Sequence, residues 1–212
     1  MGLFRVVFMK YMIDMFAGLG GASEAFITRY DWEVLRFDNN PLLAEVEEMI
    51  ITDTMFEDVL CWHDLEPKRQ IDLLWASPPC REFSHGFNSP VSKMRREEPG
   101  FEDFIPSTKL VEKTIQTILA VKPKFWVIEN VVGAIKWLKP ILGEPTQIIG
   151  SQVLWGNFPF INMPRGFKEN KSNKDTWSTD PLRANKKALI PYELSLRLMI
   201  AVEQQRTLLE WV

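Results

Sequence analysis

The chain has few cysteines and few histidines. Its 212 residues include two cysteines, Cys61 and Cys80, and two histidines, His63 and His85. The cysteines lie far apart and in different contexts, which excludes a disulfide framework and a cysteine-based metal site. A loop histidine without a partner is more often solvated than catalytic. We therefore expect reduced thiols and no bound metal.

The chain also lacks a long hydrophobic run. No apolar stretch approaches the roughly 20 residues of a membrane-spanning helix, and the start MGLFRVVFMKYMIDMF lacks the apolar core and small-residue cleavage site of a signal peptide. The composition, 46% hydrophobic and 25% charged, is typical of a globular protein. We expect a cytoplasmic protein without membrane contact.

Neither positive nor negative charge dominates, because the net charge is -3. This small negative charge disfavours a protein whose main role is to coat nucleic acid. The charge is uneven, however. Residues 1–75 carry 14 acidic and 6 basic residues, whereas residues 162–187 carry 7 basic and 3 acidic residues. The second stretch shows no helical or alternating period, which indicates an irregular insertion. It is either a solvated loop or a small nucleic-acid recognition region.

Predicted strands and helices alternate along the chain. The predicted strands are YMIDMF, WEVLRFD, Ile50–Thr52, IDLLWA and KFWVIENV. The predicted helices are ASEAFITRY, PLLAEVEEMI and FIPSTKLVEKTIQTILAVK, and one or two further strands and a C-terminal helix from near Pro191 follow Gly150. This order predicts a doubly wound, mostly parallel α/β sheet. With 212 residues, we expect a single domain over residues 1–212.

The stretch DMFAGLGG follows the first predicted strand and indicates a cofactor loop. Gly18, Gly20 and Gly21 let the backbone turn sharply and approach a ligand before a helix begins. Asp14 beside this turn would repel a phosphate and would suit a cofactor with an ammonium group. S-adenosylmethionine has that ammonium group and no phosphate.

Two further acids follow the next predicted strands. Asp38 is placed to accept hydrogen bonds from ribose hydroxyls, as acids at this position do in nucleoside-binding sheets. Asp53 could accept a hydrogen bond from an adenine amino group. Each acid could instead be a surface turn residue that caps a helix.

Three motifs, each at the end of a predicted strand, carry a family resemblance. DMFAGLGG, SPPCREFS and VIENV resemble the cofactor loop, the Pro-Cys loop and the Glu-Asn-Val motif of the cytosine carbon-5 DNA methyltransferases, over roughly residues 10–135. The resemblance implies a Rossmann-like, S-adenosylmethionine-dependent methyltransferase fold. It also implies methyl transfer to carbon 5 of a cytosine that is flipped out of duplex DNA.

The resemblance assigns roles to individual residues. Cys80 is the implied nucleophile that adds to carbon 6 of the cytosine, and Glu129 shares a proton with ring nitrogen 3. The implied cofactor-binding residues are Asp14, Phe16, Gly18, Gly20, Gly21, Asp38, Asp53 and Pro78. The implied substrate-binding residues are Pro79, Ser84 and Asn130, and Arg165 is a further candidate from outside the matching motifs.

The polar segment of residues 81–103 lacks a period and fits a mobile lid over the target base. Lys93, Arg95 and Arg96 in this segment are expected to contact phosphates.

The chain departs from the family pattern in three places. The usual Gln-x-Arg-x-Arg motif is absent from SQVLWGNFPF, where Gln152 is a partial match and Arg165 could reach in from the following loop. The large recognition domain is reduced to residues 162–187. A C-terminal Gly-Asn step is replaced by ALIPYELSLRLMIAVEQ. In these respects the chain resembles compact members encoded by phages and other mobile elements, which implies a prokaryotic or virus-encoded protein.

Two alternatives stay open at this point. Related enzymes with the same motifs act on tRNA, so that RNA is a possible substrate. The missing arginine motif also permits a catalytically impaired homologue that binds cofactor or DNA and needs a partner. We favour an active DNA enzyme.

Overall fold

The computed structural model describes residues 9–65, 69–168 and 179–209. The strands are β1 (Lys10–Met15), β2 (Trp32–Asp38), β3 (Met49–Ile51), β4 (Ile71–Ala76), β5 (Phe125–Val131), β6 (Gln147–Ile149) and β7 (Gln152–Asn157). The α-helices are α1 (Glu24–Ile27), α2 (Met55–Leu65), α3 (Pro90–Arg95), α4 (Lys109–Val121), α5 (Ile135–Leu142), α6 (Arg183–Ala188) and α7 (Tyr192–Leu209). Two 3-10 turns cover Pro41–Leu43 and Val132–Ala134.

The strands form one seven-stranded sheet in the order β3-β2-β1-β4-β5-β7-β6. Strands β1 to β5 run parallel, and β7 is antiparallel to both β5 and β6. The strand order reverses between β1 and β4, which opens a crevice at the carboxyl ends of these strands. The predicted doubly wound α/β sheet is therefore confirmed, whereas the antiparallel β6–β7 hairpin was not predicted.

The apolar side chains of the sheet pack against helices on both of its faces. All six residues of β4 are buried, as expected for a strand covered by helices on both faces. One core includes Met12, Phe26, Leu73, Trp75, Leu194 and Leu198, and thus joins the sheet to α1 and α7. A second core includes Ile13, Val59, Leu74, Ile118 and Ile128, and joins the sheet to α2 and α4.

Helix α7 holds in place the segment that follows the glycine turn, which is the turn that contains Gly18, Gly20 and Gly21. The buried hydroxyl of Ser195 donates to the Ala22 carbonyl at 2.7 Å and accepts from the Ala25 amide at 3.1 Å. At the opposite end of the strands, Lys10 pairs with Asp31 at 2.7 Å and also contacts Glu203 of α7. The C-terminal helix thus packs beside the first strand.

Several predicted elements are wrong or incomplete. PLLAEVEEMI forms only the turn Pro41–Leu43, because Leu43 alone is buried there and Met49 already begins β3. The predicted helix ASEAFITRY is reduced to the four residues of α1. Helices α2 and α5 were missed, and α3 lies inside the segment that was expected to be irregular.

The basic insertion is described in part. Residues 162–168 and 179–187 belong to the described chain, and residues 169–178 of the insertion lie outside it. The end of the insertion forms α6, although its sequence shows no clear helical period. Among the described residues, no helix is long and apolar enough to cross a membrane.

Candidate active site

A cavity of about 840 Å³ lies at the carboxyl ends of the central strands. It brings together residues of the three motifs that the sequence singled out. Ten predicted site residues line it: Asp14, Phe16, Gly18, Gly21, Asp38, Pro78, Pro79, Cys80, Ser84 and Glu129.

Asp14, in β1, is the buried anion of the cavity. Its side chain accepts a hydrogen bond from the Ser23 hydroxyl at 2.6 Å through Oδ2. Its Oδ1 is also buried and has no hydrogen-bond partner within the described part of the chain. Burial raises the pKa of Asp14 from 3.8 to about 6, although the Ser23 hydrogen bond and the charge of Arg36 act in the opposite direction. A cationic ligand group would satisfy this carboxylate.

The turn after β1 depends on unusual backbone angles. Phe16 has φ 58° and Gly18 has φ 56°, which is the left-handed region that a bulky residue rarely adopts. The Gly18 amide donates to the Asp38 carboxylate at 2.9 Å, and the Asn40 amide donates to its other oxygen at 3.0 Å. Asp38 therefore ties the end of β2 to the glycine turn and keeps lone pairs that could accept hydroxyl groups.

Gly20 packs against a buried arginine, and its predicted cofactor contact stays a prediction. It does not line the cavity, and a Cβ at this position would lie 2.5 Å from Cζ of Arg36. The buried Arg36 guanidinium donates to the Gly20 carbonyl at 3.1 Å and to the Ser23 hydroxyl at 2.8 Å, and it pairs with Glu24 at 2.9 Å. The missing side chain at Gly20 makes room for this guanidinium, which supports Asp14 through Ser23.

Asn130 likewise does not line the cavity. It is fully buried, donates to the Pro78 carbonyl at 3.1 Å and accepts from the Val131 amide at 2.9 Å. The side chain, which has no exposed surface, fixes the Pro-Pro-Cys loop from behind, and its predicted contact with the substrate stays a prediction.

Cys80 and Glu129 line the same cavity. Ala76 of β4 is paired with Ile128 of β5, so that the residues that follow them leave neighbouring strands at the same edge. Cys80 is half-buried, and its carbonyl accepts hydrogen bonds from the Phe83 amide at 3.1 Å and from the Ser84 amide at 3.0 Å. A thiol and a carboxyl at one cavity wall can perform nucleophilic and general acid–base chemistry.

Sequence reasoning missed Gly133, which permits close packing behind the Pro-Pro-Cys loop. A Cβ at Gly133 would lie 2.1 Å from the Phe83 carbonyl oxygen and 3.0 Å from the His85 ring. Phe83 itself is only 2% exposed and packs in a third core. The signal available in the sequence was a glycine two residues after the Glu-Asn-Val motif.

Three other positions lie outside the cavity lining. Asp53 and Arg165 are exposed, whereas Gln152 is 4% exposed within β7. Asp53 belongs to the turn between β3 and α2, which matches the alternative of a surface turn residue better than an adenine contact. The contact proposed for Arg165 stays a prediction without support from the geometry.

Helix α6, at the end of the basic insertion, forms a wall of the cavity that the sequence did not predict. Arg183, Asn185 and Lys187 line the cavity, and Asn185 Nδ2 lies 3.6 Å from the position of a Cβ at Gly18. Lys186, in contrast, pairs with Asp180 at 2.5 Å. The helix thus adds positive charge close to the glycine turn.

Two of the three lid cations that were expected to contact phosphates make contacts within the protein. Arg96 pairs with Glu98 at 2.7 Å, and the Lys93 ammonium lies 4.8 Å from the centre of the Phe101 ring. Arg95 is exposed. Of these three cations, Arg95 is therefore the one best placed for a phosphate. No cluster of metal-binding side chains occurs in the described ranges.

The sequence profile of the C-5 cytosine-specific DNA methylases matches residues 10–139, which is more than half of the chain. The chain belongs to this family. The "Probable DNA (cytosine-5)-methyltransferase" of Frog virus 3 (isolate Goorha) is 27% identical over 124 residues, which are 56% of this chain and 52% of that relative. The match thus spans about half the length of the viral relative.

Two solved structures are also similar to this C-5 cytosine-specific DNA methylase family member. The "delta-N METTL16 MTase domain" has a TM-score of 0.41 at 13% identity, and the "Human methyltransferase 10 domain containing protein" has a TM-score of 0.38 at 12% identity. Each alignment covers 70% of both chains. The family match and the strand order together confirm the Rossmann-like methyltransferase fold.

Proposed function

We propose that this protein transfers a methyl group from S-adenosylmethionine to carbon 5 of cytosine in DNA. The observation that carries the proposal is the shared cavity, which Cys80 and Glu129 line together with Asp14, Gly18 and Asp38. A thiol, a carboxyl and an anionic cofactor pocket are the groups that this reaction requires.

The cofactor side of the cavity fits S-adenosylmethionine. The buried Asp14 Oδ1 without a partner suits the ammonium group, and Asp38 can accept hydrogen bonds from ribose hydroxyls. Gly18 leaves space beside the turn, whereas the missing side chain of Gly21 permits close packing against the Ile190 carbonyl. When bound, S-adenosylmethionine supplies an electrophilic methyl group on a sulfonium sulfur.

The protein's own groups activate the cytosine. The Cys80 thiolate forms a bond to carbon 6, and the ring electrons move toward carbon 5, which becomes nucleophilic. Glu129 donates a proton to ring nitrogen 3 and accepts a hydrogen bond from the exocyclic amine, so that negative charge does not build up on the ring. After methylation, the carbon 5 proton is lost to a base, the sulfur–carbon bond breaks to restore the thiolate, and the proton on ring nitrogen 3 returns to Glu129.

Helix α6 and the end of the Pro-Pro-Cys loop are the proposed contacts with DNA. Arg81, Arg183 and Lys187 line the cavity along with the acids Asp14 and Glu129. Arg81 and Lys187 are exposed, whereas Asp14 is 1% exposed. Cations near the rim would hold the phosphates on either side of a base whose ring enters the cavity.

The direct test is the transfer of a labelled methyl group to cytosine-containing duplex DNA by the wild type and by Cys80→Ala. We expect the variant to lose transfer and to retain cofactor affinity, because Cys80 acts on the base. Equal activity of both proteins would contradict the covalent mechanism. Parallel reactions with single-stranded DNA and tRNA show whether RNA is the preferred substrate.

A further inference from the structure

Phe87 is a large aromatic residue that the proposed chemistry does not use. Its side chain is 73% exposed, and it lines the same cavity as Cys80 and Glu129. Isolated exposed aromatic residues are common on protein surfaces. Phe87 differs because it lies at the cavity that contains the thiol and because its position is fixed by specific contacts.

Arg96 supports the Phe87 ring from one side. The guanidinium carbon lies 4.1 Å from the ring centre, and Arg96 Nη2 donates to the Phe87 carbonyl at 2.6 Å. Glu98 in turn binds Arg96 Nε at 2.9 Å and Nη2 at 2.7 Å. The guanidinium is therefore held by a carboxylate and a carbonyl while it covers one face of the ring.

The short turn around Phe87 is also fixed. The buried Ser89 hydroxyl donates to the Ser84 carbonyl at 2.5 Å, and the Ser89 amide donates to the Gly86 carbonyl at 2.9 Å. Ser89 then caps α3 by accepting from the Ser92 amide at 3.2 Å. These bonds limit the conformational freedom that the ring would otherwise lose when it binds a flat ligand.

We propose that Phe87 is a stacking platform for a nucleobase of the substrate strand at the mouth of the cavity. Because the guanidinium covers one face, the exposed area belongs to the other face and the edge, where a base can stack. Extrusion of a base from a helix costs a few kcal/mol, and stacking on an aromatic side chain offsets part of that cost. The inference rests on the proposed action on nucleic acid.

The test measures binding of a labelled cytosine-containing single-stranded oligonucleotide, and of the matched duplex, by fluorescence anisotropy at several salt concentrations. Phe87→Ala should weaken binding of the single strand by about 5- to 150-fold, the range for loss of one stacked base. Phe87→Trp should restore the affinity. Phe160→Ala is the matched control, because Phe160 is 75% exposed and does not line the cavity.

The salt dependence separates stacking from an electrostatic effect. The ring carries no charge, so that Phe87→Ala should leave the slope of log affinity against log salt unchanged. A reduced slope would mean that Phe87 acts only by positioning Arg96, and it would overturn the inference. Unchanged affinity of Phe87→Ala, in a protein that transfers methyl groups to DNA, would overturn the stacking role alone. A wild type that binds no nucleic acid would overturn both proposals.

Discussion

Asp14→Asn should make the protein more stable at neutral pH and weaken its binding of cofactor. Burial is the main cause that raises the pKa of Asp14 from 3.8 to about 6, so that the ionised carboxylate is unfavourable in the folded state. A shift of about two units corresponds to roughly 3 kcal/mol. The amide of Asn keeps an oxygen for the Ser23 hydroxyl and removes the charge.

The sign of the pH dependence follows from the direction of the shift. A carboxyl whose pKa is raised in the folded state stabilises the folded protein when it is protonated. This contribution is complete below about pH 4 and is lost as the pH rises through about 6. The advantage of Asp14→Asn should therefore be largest, about 3 kcal/mol, above pH 7 and fall to roughly half of that at pH 5. Urea unfolding of both proteins at pH 5 and pH 7.5 measures the difference.

Cofactor affinity should change in the opposite direction. S-adenosylhomocysteine carries the same ammonium group, and only ionised Asp14 attracts it. Calorimetry should give an affinity for the wild type about 10-fold lower at pH 5 than at pH 7, because the carboxyl with a pKa of about 6 is mostly protonated at the lower pH. Asp14→Asn should bind weakly at both values. An Asp14→Asn variant that is less stable than the wild type at pH 7.5, or that binds S-adenosylhomocysteine equally well, would refute this reasoning.

Three further substitutions test the surroundings of the thiol and the DNA contact. Asn130→Ala removes the hydrogen bond behind the Pro-Pro-Cys loop and should lower the free energy of unfolding by about 2 kcal/mol, measured by thermal or urea unfolding. The variant should also transfer methyl groups more slowly while it retains cofactor affinity. An unchanged rate would contradict the positioning role. Gly133→Ala should push the Pro-Pro-Cys loop outward and destabilise the protein by about 1 to 3 kcal/mol. Equal stability of the variant and the wild type would show that the loop moves without cost. Lys187→Gln should reduce the salt slope of duplex binding by about 0.9, whereas the neighbouring Lys186→Gln should leave it unchanged; equal slopes for both variants would exclude α6 as a phosphate contact.

The central strands could be predicted from sequence because they are short apolar runs that end in glycine, proline or acid. IDLLWA coincides with β4, and WEVLRFD coincides with β2. PLLAEVEEMI could not be assigned correctly, because its acidic residues fit a helix surface equally well and only the pairing of β3 with β2 decides its structure. Tertiary pairing thus overrides the local pattern there.

The site was predictable where a residue follows a strand and unpredictable where contacts come from distant segments. Cys80 follows β4 and Glu129 lies near the end of β5, so their placement at one edge of the sheet could be expected from the motifs. The roles of Gly20 and Asn130 depend on Arg36 and on Pro78, which are remote in sequence. Helix α6 was missed as a cavity wall for the same reason.

The most direct test of the central claim uses a DNA duplex with 5-fluorocytosine at the target position. Fluorine cannot leave carbon 5 as a proton does, so that the bond between the sulfur and carbon 6 should persist after methylation. With S-adenosylmethionine present, we predict a protein–DNA adduct on Cys80 by mass spectrometry and no adduct with Cys80→Ser. Methyl transfer to ordinary cytosine without any adduct, or by Cys80→Ser at the wild-type rate, would contradict the account.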